Sequence, residues 1–141
     1  MGNGSEGIAW NEKYLIGNQI VDEQHKVLFT LINNFSVSCD NEMGVEKVQE
    51  TLDFLVDYAV NHFYEEEKVQ VQYNYPGYKE HKKLHEDFKA TVGELITEFK
   101  ESGCTQELGR EINSILAKWV VQHILNEDKK IGKYLKTFYS R

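Results

Sequence analysis

The sequence predicts an all-α protein: an antiparallel up-down-up-down four-helix bundle over residues 20–141, a single domain, preceded by an irregular N-terminal arm over residues 1–19. Three observations predict it. Apolar residues recur at alternating spacings of three and four in four separate stretches, the signature of an amphipathic helix. The 141 residues include one proline, Pro76, so no proline interrupts a stretch from within. No stretch shows the strict apolar-polar alternation of a half-buried strand.

The arm carries Trp10 and Tyr14 among glycines and polar residues. The first helical stripe holds Val21, His25, Leu28, Ile32 and Phe35. The segment from Cys39 to Gly44 then breaks the pattern, with Asp40 or Asn41 expected to cap the next helix. The second stripe runs Val48, Leu52, Leu55, Ala59, His62, Glu66 and Val69. Tyr73 to Gly77 is a turn by composition. The third stripe runs Tyr78, His81, His85, Phe88, Val92, Leu95 and Phe99, ending at Ser102-Gly103. The fourth holds Ile112, Leu116, Trp119 and His123, then Ile131, Leu135 and Phe138. Helices joined by short turns pack antiparallel to their neighbours.

Composition narrows the function. The net charge is -7, with 28% charged and 40% apolar residues. A nucleic-acid partner needs clustered Lys and Arg, and an anionic membrane surface needs the same; neither is expected. No apolar run reaches bilayer length. The opening MGNGSEG lacks the basic and apolar regions of a signal peptide, so a cytoplasmic location is expected. Cys39 and Cys104 are too few for a disulfide framework and are expected as thiols, away from any site.

The polar residues on the apolar stripes are more informative. All five histidines, His25, His62, His81, His85 and His123, fall on core-facing positions. One histidine on such a face is most often a hydrogen-bonded core residue. Five together would each need a buried partner that an aliphatic core does not supply; a metal supplies it. His62 and Glu66 stand one turn apart, as do His81 and His85. Glu66 in a core position needs a strong partner of its own. In an antiparallel bundle the start of the first helix, the end of the second, the start of the third and the later part of the fourth share one end, and all these residues lie there. Five imidazoles with carboxylates exceed one tetrahedral zinc site and suit two six-coordinate ions, with iron favoured by the nitrogen and oxygen donors.

Four stretches, IVDEQH at 20–25, HFYEEE at 62–67, HKKLH at 81–85 and WVVQHILNED at 119–128, resemble the hemerythrin family, and the resemblance runs from Trp10 onward. It implies two non-haem iron ions (Fe2+/Fe3+) joined by an oxo or hydroxo bridge. By the resemblance, His81, His85 and His123 bind one iron, His25 and His62 bind the other, and Glu66 and Asp128 bridge them. It also implies dioxygen binding at the open position of the second iron, with Leu28, Phe63, Trp119 and Val120 as apolar walls. Spacing alone leaves the second carboxylate open. Glu127 lies four residues after His123, whereas Asp128, five after it, is rotated by about 140° past a full turn. Both continue regular stripes, and only the resemblance selects Asp128. A local widening of the helix near His123 would reconcile the two stretches. Val69 departs from the methionine that many members carry after the Glu-Glu pair.

The function so implied is reversible dioxygen binding for storage, delivery or sensing, without enzymatic turnover, and with a reductase or signalling protein as a further partner. The alternative is a di-iron oxidase, peroxidase or nitric-oxide-handling enzyme. Carboxylate-rich di-iron enzymes of the ferritin type use Glu-x-x-His pairs, and this chain contains none. A zinc-binding structural protein ranks below both.

Overall fold

The computed structural model describes residues 8–40, 44–103 and 105–139. Four long helices make the body: α1 (Gln19–Asp40), α2 (Val45–Gln72), α3 (Tyr78–Ser102) and α4 (Gln106–His123). The last continues through a π turn, Ile124–Asp128, into α5 (Lys129–Tyr139). α1 packs on α2 and α4, and α3 packs on the same two, so α1 and α3 are diagonal. There is no strand among the described residues.

The helix ends follow local chemistry. Asn18 opens α1 by accepting the Val21 N–H at 3.0 Å. Thr105 opens α4 by accepting from Leu108 N–H at 3.1 Å. Gly103, at φ 89°, ends α3 in a conformation that disfavours any side chain. α2 begins after Gly44. Asp40 is the last residue of α1 and pairs with Arg110 at 2.8 Å, and the N-cap position of α2 is Gly44 instead; Asn41 lies outside the described residues. Between α2 and α3, Asn74 takes φ 54° and Tyr75 N–H returns to the Gln70 carbonyl at 2.8 Å. Asparagine tolerates this left-handed geometry better than most side chains.

From Ile8 onward the arm is pinned to the bundle. Asn33 of α1 exchanges two hydrogen bonds with the Ile8 backbone, at 2.9 and 2.7 Å. Trp10, Tyr14 and Phe29 form an aromatic cluster with centroids 5.0 to 5.4 Å apart. A single 3-10 turn, Glu12–Tyr14, lies within the arm. Asp22 accepts the N–H groups of Ile16 and Gly17 at 2.8 and 3.1 Å. The arm crosses α5 at Gly132, where a Cβ would collide with the Ile16 carbonyl.

The core divides by height. At the end where α1 finishes, Phe35, Leu52, Phe99 and Ile112 are fully buried with apolar neighbours. At the other end the buried residues include five histidines and the carboxylates Glu66 and Asp128. Two stripe positions differ from the expected period. Val69 is only partly buried, and Gln70, four residues after Glu66, is 1% exposed in its place. Trp119 is half-buried, and Val120 takes the inner position. In both helices the stripe advances by four where the sequence suggests three, because a 3.6-residue turn allows either step.

Candidate metal centre

His25 sits in the second turn of α1, and His62 and Glu66 lie in the last turns of α2. His81 and His85 lie in the first turns of α3, and His123 ends α4. Asp128 ends the π turn. All seven side chains are buried. Their donor atoms form two groups: Glu66, His81, His85, His123 and Asp128 in one, and His25, His62, Glu66 and Asp128 in the other, each with donor atoms within 4.8 Å of one another. The two carboxylates belong to both groups. Glu66 turns Oε1 toward His81 (2.8 Å) and His85 (3.2 Å), and Oε2 toward His62 (3.4 Å) and His25 (3.5 Å). Asp128 turns Oδ1 toward His81 and His123, both at 3.1 Å, and Oδ2 toward His25 at 3.0 Å.

The π turn settles which carboxylate faces inward. The Lys129 N–H reaches back five residues to the Ile124 carbonyl. The extra residue in that turn brings Asp128 onto the face of His123. Glu127 is turned outward and pairs with Lys130 at 3.4 Å.

Two imidazoles have fixed outer partners. His62 Nδ1–H donates to Gln24 Oε1 at 2.7 Å, and His85 Nδ1–H donates to Glu67 Oε2 at 2.8 Å. Each oxygen only accepts, so the Nδ1 proton is assigned and Nε2 carries a lone pair. Gln24 and Glu67 lie beside the stripes rather than on them, and periodicity does not select them. Their adjacency to His25 and Glu66 is the one signal that could have found them.

The cluster is built for cations. Nε2 of His123 lies 3.0 Å from that of His81 and 3.1 Å from that of His85. With a lone pair on His85 Nε2, so close a group of nitrogens needs a proton or a metal ion among them. His25 Nε2, Glu66 Oε2 and Asp128 Oδ1 are buried and close to opposite partners, yet none makes a hydrogen bond. They converge on shared points rather than on each other. Burial alone would raise the Glu66 carboxyl, but four facing imidazoles hold it well below its usual range. Burial and Glu66 oppose ionisation of Asp128 too, and His123 and His25 outweigh them and lower it. Burial works against a proton on His25, but Asp128 and Glu66 overcome it and push the pKa up to about 9. His81, against the same burial and with the same two carboxylates, rises to about 10. His62 is lowered, mainly by burial. The ionised carboxylates thus demand positive charge at the middle of the cluster. The donor set, five imidazole nitrogens and two bidentate carboxylates, fits a pair of transition-metal ions.

The sequence model of the Hemerythrin HHE cation binding domain matches residues 16–135. The chain belongs to the hemerythrin family. A bacteriohemerythrin of Pseudomonas aeruginosa is 32% identical over 123 residues, covering 86% of this chain and 76% of that protein. One from Stenotrophomonas maltophilia is 28% identical over 129 residues, covering 92% and 82%. A crystal structure of a hemerythrin point mutant superposes with a TM-score of 0.79 at 25% identity, covering 89% of this chain and 95% of that one.

The candidate centre of this hemerythrin-family chain abuts an apolar cavity of about 100 Å³ lined by all four long helices. Leu28, Phe63 and Val120 line it at the metal end, and Ile32, Leu55 and Val92 continue it into the bundle. Trp119 does not line it. Being one residue from Val120, it is rotated away, and its ring stacks on His123 at 4.2 Å and on Phe88 at 3.9 Å. Phe63 stacks on His85 at 4.1 Å. Cys39 is buried near Gly109, at the end opposite the histidines; Cys104 lies outside the described residues. Tyr64 is exposed, and Tyr134 donates to the Tyr73 carbonyl at 2.7 Å. Among the described residues no helix is long and apolar enough to cross a membrane.

Proposed function

We propose that this hemerythrin-family chain binds dioxygen reversibly at a pair of non-haem iron ions. His81, His85 and His123 would hold one ion, His25 and His62 the other, and Glu66 and Asp128 would bridge both. When bound, a reduced iron pair with an oxo or hydroxo bridge would supply the two electrons that dioxygen binding requires. One observation carries the reading: the first donor group offers five residues and the second four. The protein therefore fills one side more than the other and leaves room for a small ligand beside His25 and His62.

The chain's own residues favour binding without turnover. Leu28, Phe63 and Val120 present hydrocarbon to that side and admit a small apolar gas while excluding anions and bulk water. No acid or base outside the ligand set lines the cavity except Lys89. The imidazole-rich set carries fewer negative charges than a carboxylate-rich one, which disfavours high-valent iron chemistry. Gln24 and Glu67 hold two of the imidazoles in one tautomer, so ligand positions are set before the gas arrives.

The test is direct. The purified chain is expected to contain two irons and no haem. Reduced without air it is expected to be nearly colourless, to gain a visible absorption band on exposure to air, and to lose it again when oxygen is removed. A single zinc per chain, or a band that never reverses, would overturn the reading.

A further inference from the structure

The two halves of the centre differ in their outer partners as well as in ligand number. On the His25–His62 side, His62 donates its Nδ1–H to a neutral amide, Gln24 Oε1, at 2.7 Å. On the three-histidine side, His85 donates to a carboxylate, Glu67 Oε2, at 2.8 Å. The distances match; the charges do not. Glu67 is 12% exposed at its side chain and His85 is fully buried, so the bond lies in a low-dielectric place. Its neighbour Lys68 pairs with Glu65 at 3.3 Å and leaves the His85 bond to Glu67.

A carboxylate draws the Nδ1 proton toward itself and moves electron density to Nε2, making the ring a stronger donor to whatever Nε2 binds. A neutral amide does so far less. We infer that Glu67 and Gln24 are positioning residues that set unequal reduction potentials for the two ions, Glu67 favouring the ferric state beside His85 and Gln24 preserving the ferrous state beside His62. This inference rests on the di-iron reading above. It places the more easily oxidised ion on the side with more protein donors, and keeps the ion with room for dioxygen reduced until the gas is present.

The experiment is a redox titration of the iron-loaded full chain, followed by Mössbauer spectroscopy, in wild type, Glu67→Gln and Gln24→Glu. Wild type is expected to oxidise in two one-electron steps, the lower potential belonging to the three-histidine ion. Glu67→Gln is expected to weaken that ion's ferric preference about tenfold, raising the lower potential by about 59 mV while moving the upper one less. Gln24→Glu is expected to lower the upper potential instead. A residue that only shaped the pocket would change iron content or melting temperature without moving one potential selectively. Two irons in wild type, with both potentials unmoved or moved equally in both variants, would overturn the inference and leave the di-iron reading standing. Absence of two irons in wild type would end both.

Discussion

The two ends of the bundle bury their side chains by opposite means. Where α1 ends, Phe35, Leu52, Phe99 and Ile112 need only one another, and their burial is favourable at about 25 cal/mol per Å² of apolar surface. Where α1 begins, five histidines and two carboxylates occupy the same kind of position, and burying them is unfavourable unless each finds a partner. The same four helices carry both ends. The difference teaches that one end can assemble from the chain alone, whereas the other, on the proposed reading, is complete only with cations.

Two substitutions of similar cost separate the ends most sharply. Phe99→Ala is expected to destabilise the chain by about 3–5 kcal/mol through the cavity it leaves, with iron content unchanged. Glu66→Ala is expected to cost about 3–5 kcal/mol as well, because it strands imidazoles around a missing anion, but with iron lost. Denaturant melts and iron assays on both variants make the comparison. If Glu66→Ala kept its iron and its midpoint, the carboxylate would not belong to the site.

Removing iron from the wild type sharpens the same contrast without changing a residue. A ligand at a thousandfold excess over its Kd stabilises by about 4.1 kcal/mol. The chelated protein is expected to lose that much, and to lose it unevenly. Amide exchange should accelerate around His25, Glu66, His85 and Asp128 while Phe35, Leu52 and Ile112 stay protected. Uniform acceleration would mean that the ends are not separable.

Val120→Phe tests the cavity where the two ends meet. Filling it is expected to cost about 1–3 kcal/mol in overpacking, slow oxygen uptake in stopped-flow, and leave both irons in place. Unchanged uptake with full iron would put the approach to the centre elsewhere. The smallest effect is expected from the double variant Cys39→Ser, Cys104→Ser, with iron content and oxygen spectrum both unaltered. A change in either would bring a thiol into the chemistry.

Much of this arrangement was legible in the sequence. The bundle and its helix order followed from the stripes, and the histidines stood out because imidazole is out of place on an apolar face. What stayed hidden has a common cause. Spacing reports which residues share a face in a uniform helix, and the site departs from uniformity. Asp128 could not be chosen over Glu127 by period, because the π turn changes the residues per turn. The resemblance implied Trp119 as a pocket wall, but its ring stacks on His123 and Phe88 and Val120 takes the inner position, a rotation that spacings of three and four do not distinguish. Gln24 and Glu67 lie off the stripes, and their role depends on the ring they touch. The cap expected at Asp40 or Asn41 was not found at Asp40, because α1 runs through Asp40 and α2 begins only after Gly44.

The widened turn at Ile124–Asp128 also acts as a phase correction. Inward residues along the last helix read Leu116, Val120, Ile124, Asp128, Gly132, each four after the one before. In a uniform α-helix every such step overshoots a full turn by about 40°, so four steps would carry Gly132 about 160° around the axis. It would then face away from the arm, and Ile16 would have nothing to rest on. The turn absorbs much of that overshoot. Presenting Asp128 to the ions and seating α5 beneath the arm are therefore one adjustment. A slip of the helix by one residue would forfeit both at once, which fixes a single register for the last thirty residues or so of the chain.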